Sequence, residues 1–344
     1  MLTTTVGGIA AVIVTGGLLF RRRLSKNWIS PSSIPARQFS REDTIIVTGG
    51  NAGIGYEVAR ELASRGCRVI LACRDADAGH LAASNIRQVS GNADVLCMAL
   101  DLASLRSVQT FAANLQTRNY NIYALICNAG VWMPDREPKT KDGFELHFGV
   151  NHLGHFALIR LLVPHMENSG TDSRILIVGS TLCKMGKLDL QTRDFIYDGR
   201  VPEEGEKPSF APTGYCDSKL MNALTCRELA ARLRGSTSKI TAYAVSPGFC
   251  QSRLDREVSA RMAPYIKMIF LPLMRFFQRS SAQGAYNVLF VLMEDKTKLE
   301  SGSMYQDGVV WKEGLTQFEA LGNAVQKELW DLSDELIEGK MTEN

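Results

Sequence analysis

The stretch TIIVTGGNAGIG, residues 44–55, decides the fold of this chain. A short apolar run leads directly into a turn with glycines at positions 49, 53 and 55, and a helical pattern follows at once. Glycines let such a turn tighten and let backbone N–H groups approach a diphosphate at the helix N-terminus. The spacing is one residue longer than the commonest dinucleotide fingerprint, and glycine-rich turns also arise for steric reasons alone. The position between a strand and a helix favours a dinucleotide site.

Short apolar runs alternate with longer helical patterns along the rest of the chain. RVILACR, DVLCMAL, YALICNAG, RILIVGS and ITAYAVSPG are the later strand-like runs. Fully apolar strands separated by helices are typical of a parallel sheet that is covered on both faces. The sequence therefore predicts an α/β fold, a doubly wound parallel sheet of the Rossmann type. This single domain is expected over residues 43–310, and a helical tail over residues 311–344.

The amino terminus differs from the rest of the chain. Residues 1–20 contain no charged side chain, and the basic stretch RRRLSK follows them. Twenty helical residues at about 1.5 Å each span the hydrocarbon layer of roughly 30 Å. A cleaved signal peptide would carry its basic residues before the apolar core, so the pattern favours an uncleaved transmembrane anchor. The positive-inside rule then places the catalytic domain in the cytosol, beyond a basic, Pro/Ser-rich linker over residues 21–42. A soluble enzyme released from a cleaved leader is the alternative.

Composition argues against nucleic-acid and metal partners. The 344 residues carry a net charge of only +3, without a compact basic patch that interleaves with aromatics. The eight cysteines form no Cys-x-x-Cys pair, and several lie in strand-like runs where cysteine behaves as a small buried hydrophobe. A reducing compartment is the simpler assumption, although an even count leaves disulfides open. His152 and His155 lack a third ligand at zinc-protease spacing, so we expect a helix-packing role and no metal site.

A phenol and an ammonium lie one helical turn apart in TGYCDSKLMN, residues 213–222. Tyr215 and Lys219 share a helix face at spacing i, i+4. A cation near a phenol lowers a pKa that starts near ~10, which yields a general acid/base at neutral pH. Taken alone, the pair is better explained as an ordinary solvated helix face, so the rest of the chain must decide.

The end of the second strand bears on the choice of cofactor. A site for NAD often places a carboxylate there for the ribose 2′-hydroxyl, whereas this chain has Arg74. A guanidinium suits a 2′-phosphate because its donors are bidentate and its charge is permanent. A surface arginine paired with Asp75 or Asp77 is the alternative. The sequence thus favours NADP(H) over NAD(H).

Together these motifs resemble the short-chain dehydrogenase/reductase family, in the right order over roughly residues 43–310. The matching segments are TGGNAGIG, LDLAS, NAG, VNHLGHF, ILIVGS, YCDSK and SPGFCQS. The resemblance implies a catalytic set: Ser180 binding the substrate oxygen, Tyr215 passing the proton, Lys219 lowering the pKa of Tyr215, and Asn151 positioning a water that links Lys219 to solvent. It also implies a cofactor-binding set of Gly49, Asn51, Gly53, Ile54, Gly55, Arg74, Asp101, Leu102, Asn128, Gly130, Tyr215, Lys219, Pro247 and Ser252.

Within the family, ACRD, NHLGHF and the amino-terminal anchor look most like the membrane-bound retinol dehydrogenase branch. This resemblance implies an oxidoreductase that uses NADP(H) to interconvert a lipophilic alcohol and its aldehyde or ketone, such as a retinoid, a steroid or a polyisoprenoid. It also implies an endoplasmic reticulum membrane, and the family as a whole favours homodimers. A catalytically silent nucleotide-binding scaffold or redox sensor is the alternative function. One departure is Ser246, which stands where the branch usually has His before Pro-Gly.

Two further segments border the expected site. The interval from Ser180 to Tyr215 is 35 residues and holds a polar insertion over residues 187–210, which either shapes the entrance or is a passive loop. Residues 264–277, PYIKMIFLPLMRFF, lie in the segment 255–285 that is expected to cover the substrate. They suit a lid, a flap that rests on a membrane, or core and dimer packing.

Overall fold

The structure of this chain is a computed structural model that describes residues 21, 25–133, 139–168, 172–199, 211–251, 268, 272 and 275–342. The expected anchor over residues 1–20 lies outside the described residues, as do Ser252 and most of the segment expected to cover the substrate. In the part of the chain that the structure describes, no helix combines the length and the apolar character needed to cross a membrane.

The described residues form an eight-stranded sheet in the order β3-β2-β1-β4-β5-β6-β7-β8. The strands are β1 Asp43–Thr48, β2 Arg68–Cys73, β3 Val95–Ala99, β4 Asn121–Cys127, β5 Arg174–Val178, β6 Thr241–Val245, β7 Met304–Gln306 and β8 Val309–Val310. Neighbouring strands pair in parallel, except that β8 runs antiparallel to β7. The predicted doubly wound parallel sheet is therefore confirmed.

Helices cover both faces of this sheet. They are α1 Gly53–Ser64, α2 Ala76–Ser90, α3 Leu105–Gln116, α4 Gly154–Asn168, α5 Asp194–Tyr197, α6 Thr213–Arg234, α7 Ser281–Met293 and α8 Lys312–Thr342. One apolar core lies between the sheet and α3, α4, α6 and α8, and a second lies between the sheet and α1, α2 and α7. Strand residues are buried on both faces, which is why the strands read as continuous apolar runs.

The strand order reverses next to β1, because β2 lies on one side of it and β4 on the other. Ligands of open α/β sheets bind in the crevice beyond the carboxyl ends of the strands at such a switch point. The glycine-rich turn follows β1, and the segment Asn128–Gly130 follows β4. The fold thus brings the two predicted cofactor segments to the same crevice.

The segment expected to be a linker contacts the rest of the protein through Arg21, which lies 5.2 Å from the Phe276 ring centroid, and through residues from 28 onward. Ile29 and Ile34 are buried, and they belong to the core that contains α1 and α7. Arg65, at the end of α1, donates hydrogen bonds to the carbonyl groups of Pro35 (2.9 Å) and Arg37 (3.2 Å). These contacts make the second half of residues 21–42 part of the folded body.

The carboxyl-terminal helix α8 also packs on the domain. It bends at Gly322, whose φ of 76° departs from helical geometry. Trp330 is buried, and its ring centroid lies 4.8 Å from that of Phe156 on α4. Arg232 of α6 donates a hydrogen bond to Asp331 at 3.0 Å. The predicted tail is therefore helical and covers the outer faces of α4 and α6.

Candidate active site

The turn after β1 has a shape that requires glycine. Gly49 and Gly53 adopt left-handed φ values of 64° and 58°, which side chains rarely tolerate. A Cβ on Gly55 would lie 2.5 Å from Asn128 Nδ2 and 2.6 Å from the carbonyl oxygen of Gly49. A Cβ on Gly53 would meet no heavy atom within 4 Å, so this glycine borders open space. The turn therefore forms a cradle beside the crevice.

The N-terminus of α1 lacks a side-chain cap, in contrast to α2, α3 and α7. Its N-cap residue is Ala52, which offers no side-chain acceptor. Asp75, Ser104 and Ser280 cap α2, α3 and α7 with side-chain oxygens. The first-turn N–H groups of α1 thus have no side-chain partner, and a diphosphate satisfies such groups well. The glycine cradle and the uncapped helix fit a dinucleotide, with Asn51 and Ile54 on the same turn.

A buried threonine ties this turn to the segment after β4. Thr48 Oγ1 accepts hydrogen bonds from the backbone N–H groups of Asn128 and Ala129, both at 2.9 Å, and lies 2.9 Å from His155 Nε2. His155 Nδ1 lies 3.1 Å from the carbonyl oxygen of Asn151. Because a carbonyl only accepts, Nδ1 carries the proton and Nε2 accepts from the Thr48 hydroxyl. Sequence reasoning missed Thr48 and gave His155 only a packing role.

Asn151 lies in a π-helical turn, Phe148–Leu153, that leads into α4. Its Oδ1 accepts from the N–H of Val131 at 2.7 Å, and its Nδ2 donates to the Val131 carbonyl and to Ser218 Oγ, both at 3.1 Å. A Cβ on Gly130 would lie 3.2 Å from Asn151 Oδ1. Asn151 therefore fixes the backbone after β4, which is how its amide is satisfied while fully buried.

Ser180, Tyr215 and Lys219 converge at the carboxyl end of β5. Ser180 follows β5 and accepts from the N–H of Leu182 at 3.2 Å, and its hydroxyl lies close enough to the Tyr215 phenol to favour a lower pKa of that phenol. Lys219 Nζ donates to the carbonyl of Val178 at 2.9 Å and lies 5.5 Å from the centroid of the Tyr215 ring. The structure brings these three side chains together beside Asn151 and Gly130.

The expected direction of the pKa shift of Tyr215 is wrong. Burial raises the pKa of Tyr215 above its ordinary value, and the nearby Ser180 hydroxyl opposes this only in part. Burial also lowers the pKa of Lys219, to about 8. Both shifts have one cause, because a low-dielectric site disfavours the charged form of each group. The phenol of Tyr215 therefore carries its proton at neutral pH, which is the form that can protonate a substrate oxygen.

The buried ammonium of Lys219 makes stability depend on pH. A lysine in the unfolded chain has its ordinary pKa of 10.5, whereas burial lowers the pKa of Lys219 in the folded protein to about 8. Between these values the unfolded chain binds more protons, so the free energy of unfolding rises with pH, by at most about 1.4 kcal/mol per pH unit. Denaturant titrations across this window should show the wild type gaining stability relative to Lys219→Met. A difference that stays constant with pH would contradict the lowered pKa.

Comparison with known proteins assigns the family. Residues 43–191 match the family model described as short chain dehydrogenase. Human retinol dehydrogenase 11 is 38% identical over 294 residues, which cover 85% of each chain. The chain belongs to the short-chain dehydrogenase/reductase family. Human retinol dehydrogenase 14 is 34% identical, with 86% of each chain covered. The relatives thus confirm the predicted resemblance to the retinol dehydrogenase branch.

Solved structures agree with the family fold. An uncharacterised protein from Mycobacterium paratuberculosis is 28% identical with a TM-score of 0.65, covering 90% of this chain and 98% of that chain. L-Sorbose reductase from Gluconobacter frateurii, complexed with NADPH and L-sorbose, is 20% identical with a TM-score of 0.61, covering 78% and 96%. Membership of the family makes the chain an oxidoreductase that binds a nicotinamide dinucleotide and interconverts alcohol and carbonyl groups.

Arg74 and Asp101 are the residues that the sequence predicts for the adenosine side of the cofactor. Arg74 is exposed directly after β2, and among the described residues it forms no ion pair. Asp75, its alternative partner, accepts instead from the N–H of Ala78 at 2.9 Å. Asp101 receives a hydrogen bond from Lys141 at 2.8 Å, and Leu102 beside it is buried. The guanidinium is therefore available at the position where a 2′-phosphate is expected.

Aromatic side chains surround the outer side of Tyr215. The ring centroid of Trp132 lies 4.5 Å from that of Tyr215, and the ring centroid of His147 lies 6.4 Å from it in an edge-to-face arrangement. His147 Nε2 accepts from the N–H of Met133 at 3.1 Å, and its Nδ1 donates to Glu145 at 2.7 Å. Sequence reasoning missed Trp132 and Glu145, because the spacing of neither residue marks it as part of a site.

The described part of the insertion, residues 187–199, packs beside Glu145 and the start of α6. Phe195 and Ile196 are buried, and the N–H of Glu145 donates to the carbonyl of Ile196 at 2.8 Å. The N–H of Lys187 donates to Asp217 on α6 at 2.8 Å. Residues 187–199 therefore support the start of the helix that carries the catalytic tyrosine, while residues 200–210 lie outside the described residues.

The histidines make buried packing contacts. His152 Nε2 lies 2.9 Å from Ser333 Oγ on α8, and burial lowers the pKa values of His152 and His155 to about 3 and about 4. Within the described ranges no group of three His, Cys, Asp or Glu residues could hold a metal ion. All eight cysteines are free thiols. His152 thus ties the π-helical turn to α8, whereas His155 belongs to the hydrogen-bond network of Thr48.

The segment after β6 borders the crevice from the opposite side. Ser246 is buried, its N–H donates to the carbonyl of Tyr305 at 2.8 Å, and its hydroxyl accepts from Gly248 at 3.3 Å. Pro247 follows it and is buried. Ser252, the expected contact for the nicotinamide amide, lies outside the described residues. Ser246 thus serves the turn itself, where the branch usually has histidine.

Proposed function

We propose that this protein uses NADP(H) to interconvert a lipophilic alcohol and its aldehyde or ketone at a membrane. The observation that carries the proposal is the convergence of Ser180, Tyr215 and the ammonium of Lys219 at the end of β5, with Lys219 Nζ 5.5 Å from the centroid of the Tyr215 ring. These groups lie at the carboxyl edge of the sheet, next to the glycine cradle that fits the diphosphate. A bound nicotinamide would supply or accept the hydride.

The protein's own residues handle the proton and the charge on oxygen. Tyr215, protonated at neutral pH, donates its proton to the carbonyl oxygen during reduction and takes it back during oxidation. Ser180 donates a hydrogen bond to the same oxygen and stabilises the developing charge. Lys219, held by the carbonyl of Val178, stabilises the tyrosinate that remains after proton transfer. Asn151 holds the backbone against which these groups are arranged.

The preference for NADP(H) is part of the proposal. Arg74 is exposed at the end of β2, and the carboxylate next to it is engaged in capping α2. A guanidinium in that position favours a dianionic 2′-phosphate and has no acceptor to offer a 2′-hydroxyl.

Several features support a lipophilic substrate. The named relatives are retinol dehydrogenases, and retinol is an apolar alcohol. Trp132 gives Tyr215 an aromatic neighbour, and Phe249 and Met268 are 53% and 74% exposed after β6. The basic cluster after residues 1–20 supports an anchor in the endoplasmic reticulum membrane with the domain facing the cytosol. A substrate dissolved in the bilayer would then be close at hand.

Turnover of apolar carbonyls tests the proposal. We expect the full chain in lipid nanodiscs to oxidise NADPH when a retinoid, steroid or polyisoprenoid carbonyl is added. Short hydrophilic aldehydes should give a lower kcat/KM, because they bury less apolar surface in the transition state. The measurement is loss of NADPH absorbance together with chromatographic detection of the alcohol. Binding of NADPH without turnover of any member of the panel would contradict the proposal and favour a silent scaffold.

A further inference from the structure

A buried ion pair lies behind the segment that follows β6. Arg279 is only 5% exposed, and its two terminal nitrogens bond the two carboxylate oxygens of Asp307, with Nη2 to Oδ2 at 2.8 Å. Asp307 lies in the turn between β7 and β8 with a left-handed φ of 53°, and its N–H donates to Asn287 Oδ1 at 2.7 Å. A bidentate pair of this kind fixes both side chains in one geometry.

The same arginine holds the turn at residues 247–251. Its N–H donates to the carbonyl of Phe249, and its own carbonyl accepts from the N–H of Gln251, both at 2.8 Å. The guanidinium also reaches the carbonyl of Pro247 at 3.5 Å. A Cβ on Gly248 would lie 2.7 Å from Arg279 Cζ, so the guanidinium packs directly on the glycine backbone. Main-chain and side-chain contacts together determine where this turn lies.

The third partner of Arg279 comes from the amino-terminal segment. The guanidinium carbon lies 4.8 Å from the centroid of the Trp28 ring, within the range of a cation–π interaction. Ile29 and Ile34, just beyond Trp28, are buried in the core that contains α1 and α7. The segment that precedes the α/β domain therefore covers one face of the Arg279 guanidinium with the Trp28 ring.

We propose that Arg279 is a positioning residue for the nicotinamide end of the cofactor site, held by Asp307 from one side and by Trp28 from the other. The inference rests on the proposed function and on the prediction that Pro247 contacts the cofactor at its nicotinamide end. Burial of an ion pair is by itself weak evidence of stabilisation. Here its contacts are concentrated on one turn, and that turn borders the reacting end of the crevice. The amino-terminal segment would thus support, through Arg279, the turn that borders the active site.

The experiment compares Arg279→Gln and Trp28→Leu with the wild type in nanodiscs. Because loss of one partner of a buried pair can unfold its surroundings, Trp28→Leu, which keeps both charges, is the second variant. Calorimetry measures NADPH affinity, fluorescence enhancement of bound NADPH measures how firmly its nicotinamide ring is held, and kcat measures turnover. We expect affinity to change less than threefold, much of the enhancement to disappear and kcat to fall about tenfold, because a small displacement of a reacting group is costly.

Two matched variants separate positioning from loss of structure. Trp28→Phe keeps an aromatic face and should restore both fluorescence and kcat. Arg160→Gln breaks another arginine–aspartate pair that also contacts a tryptophan, Trp330, and should alter neither readout. Wild-type fluorescence and kcat in both Arg279→Gln and Trp28→Leu would overturn the proposal. If the wild type binds NADPH but reduces no carbonyl, the proposed function fails, and the fluorescence of the variants still decides the role of Arg279.

Discussion

Tyr215→Phe should abolish most turnover while leaving the cofactor site intact. The substitution removes only the hydroxyl, and the phenylalanine ring keeps its contact with Trp132. Loss of a general acid in the transition state typically lowers the rate about 100- to 10,000-fold. We expect the substitution to lower kcat, because the proton is transferred only as the substrate oxygen gains charge in the transition state. Single-turnover mixing with NADPH and an apolar aldehyde measures it directly.

Ser180→Ala provides a graded comparison for this result. It removes the hydroxyl proposed to stabilise the substrate oxygen but leaves the proton donor in place, so the loss should be smaller than for Tyr215→Phe. Calorimetric NADPH affinity should remain close to that of the wild type in both variants. A Tyr215→Phe protein with undiminished turnover would refute the assignment of the proton donor. A cellular effect of the protein that survives this substitution would favour the scaffold reading.

Arg74→Asp should reverse the cofactor preference. The Arg74 guanidinium is exposed and has no ion-pair partner among the described residues. Its full positive charge is therefore available to the 2′-phosphate. Losing one charge-assisted contact costs about 1.5–3 kcal/mol, or roughly 10- to 150-fold in NADPH affinity. The aspartate can accept a bond from the 2′-hydroxyl, so NADH binding should hold steady or improve. Parallel titrations with NADPH and NADH measure the change in their ratio.

Arg118→Asp is the matched control for that change in net charge. Arg118 is exposed beyond the carboxyl end of α3, where it donates a hydrogen bond to the hydroxyl of Tyr120, just before β4, at 3.4 Å. Its reversal should leave the ratio of the two affinities unchanged. Equal weakening of NADPH and NADH by Arg74→Asp would refute the assigned preference.

The sequence predicts the central parts of this site because their geometry is local. The glycines at 49, 53 and 55 belong to one turn, and Tyr215 and Lys219 lie one helical turn apart. The parallel topology then follows from the alternation of apolar strands and helices, which leaves the carboxyl ends of the strands at one edge. Short spacing and strand order thus suffice to place the main catalytic and phosphate-binding groups.

Features that join distant parts of the chain could not be predicted in this way. Thr48 and His155 are 107 residues apart, and Trp28 meets Arg279 across an even longer separation. The pKa of Tyr215 was expected to fall because spacing reveals the neighbouring ammonium. Spacing does not reveal the burial of the phenol, which dominates the shift. Such properties follow from packing between elements.

The packing of Trp28 on Arg279 limits how far the folded domain can lie from the proposed membrane anchor. Residues 21–27 lie between the end of the proposed anchor and this point of attachment, and Arg21, the first of them, already lies 5.2 Å from the ring centroid of Phe276. Seven extended residues reach at most about 25 Å. With residues 1–20 in a bilayer, the catalytic body would be confined to a shallow zone at the lipid surface. The enzyme would then meet a membrane-dissolved substrate by diffusion along the lipid surface. Lengthening residues 21–27 should reduce the frequency of these encounters without altering the active site.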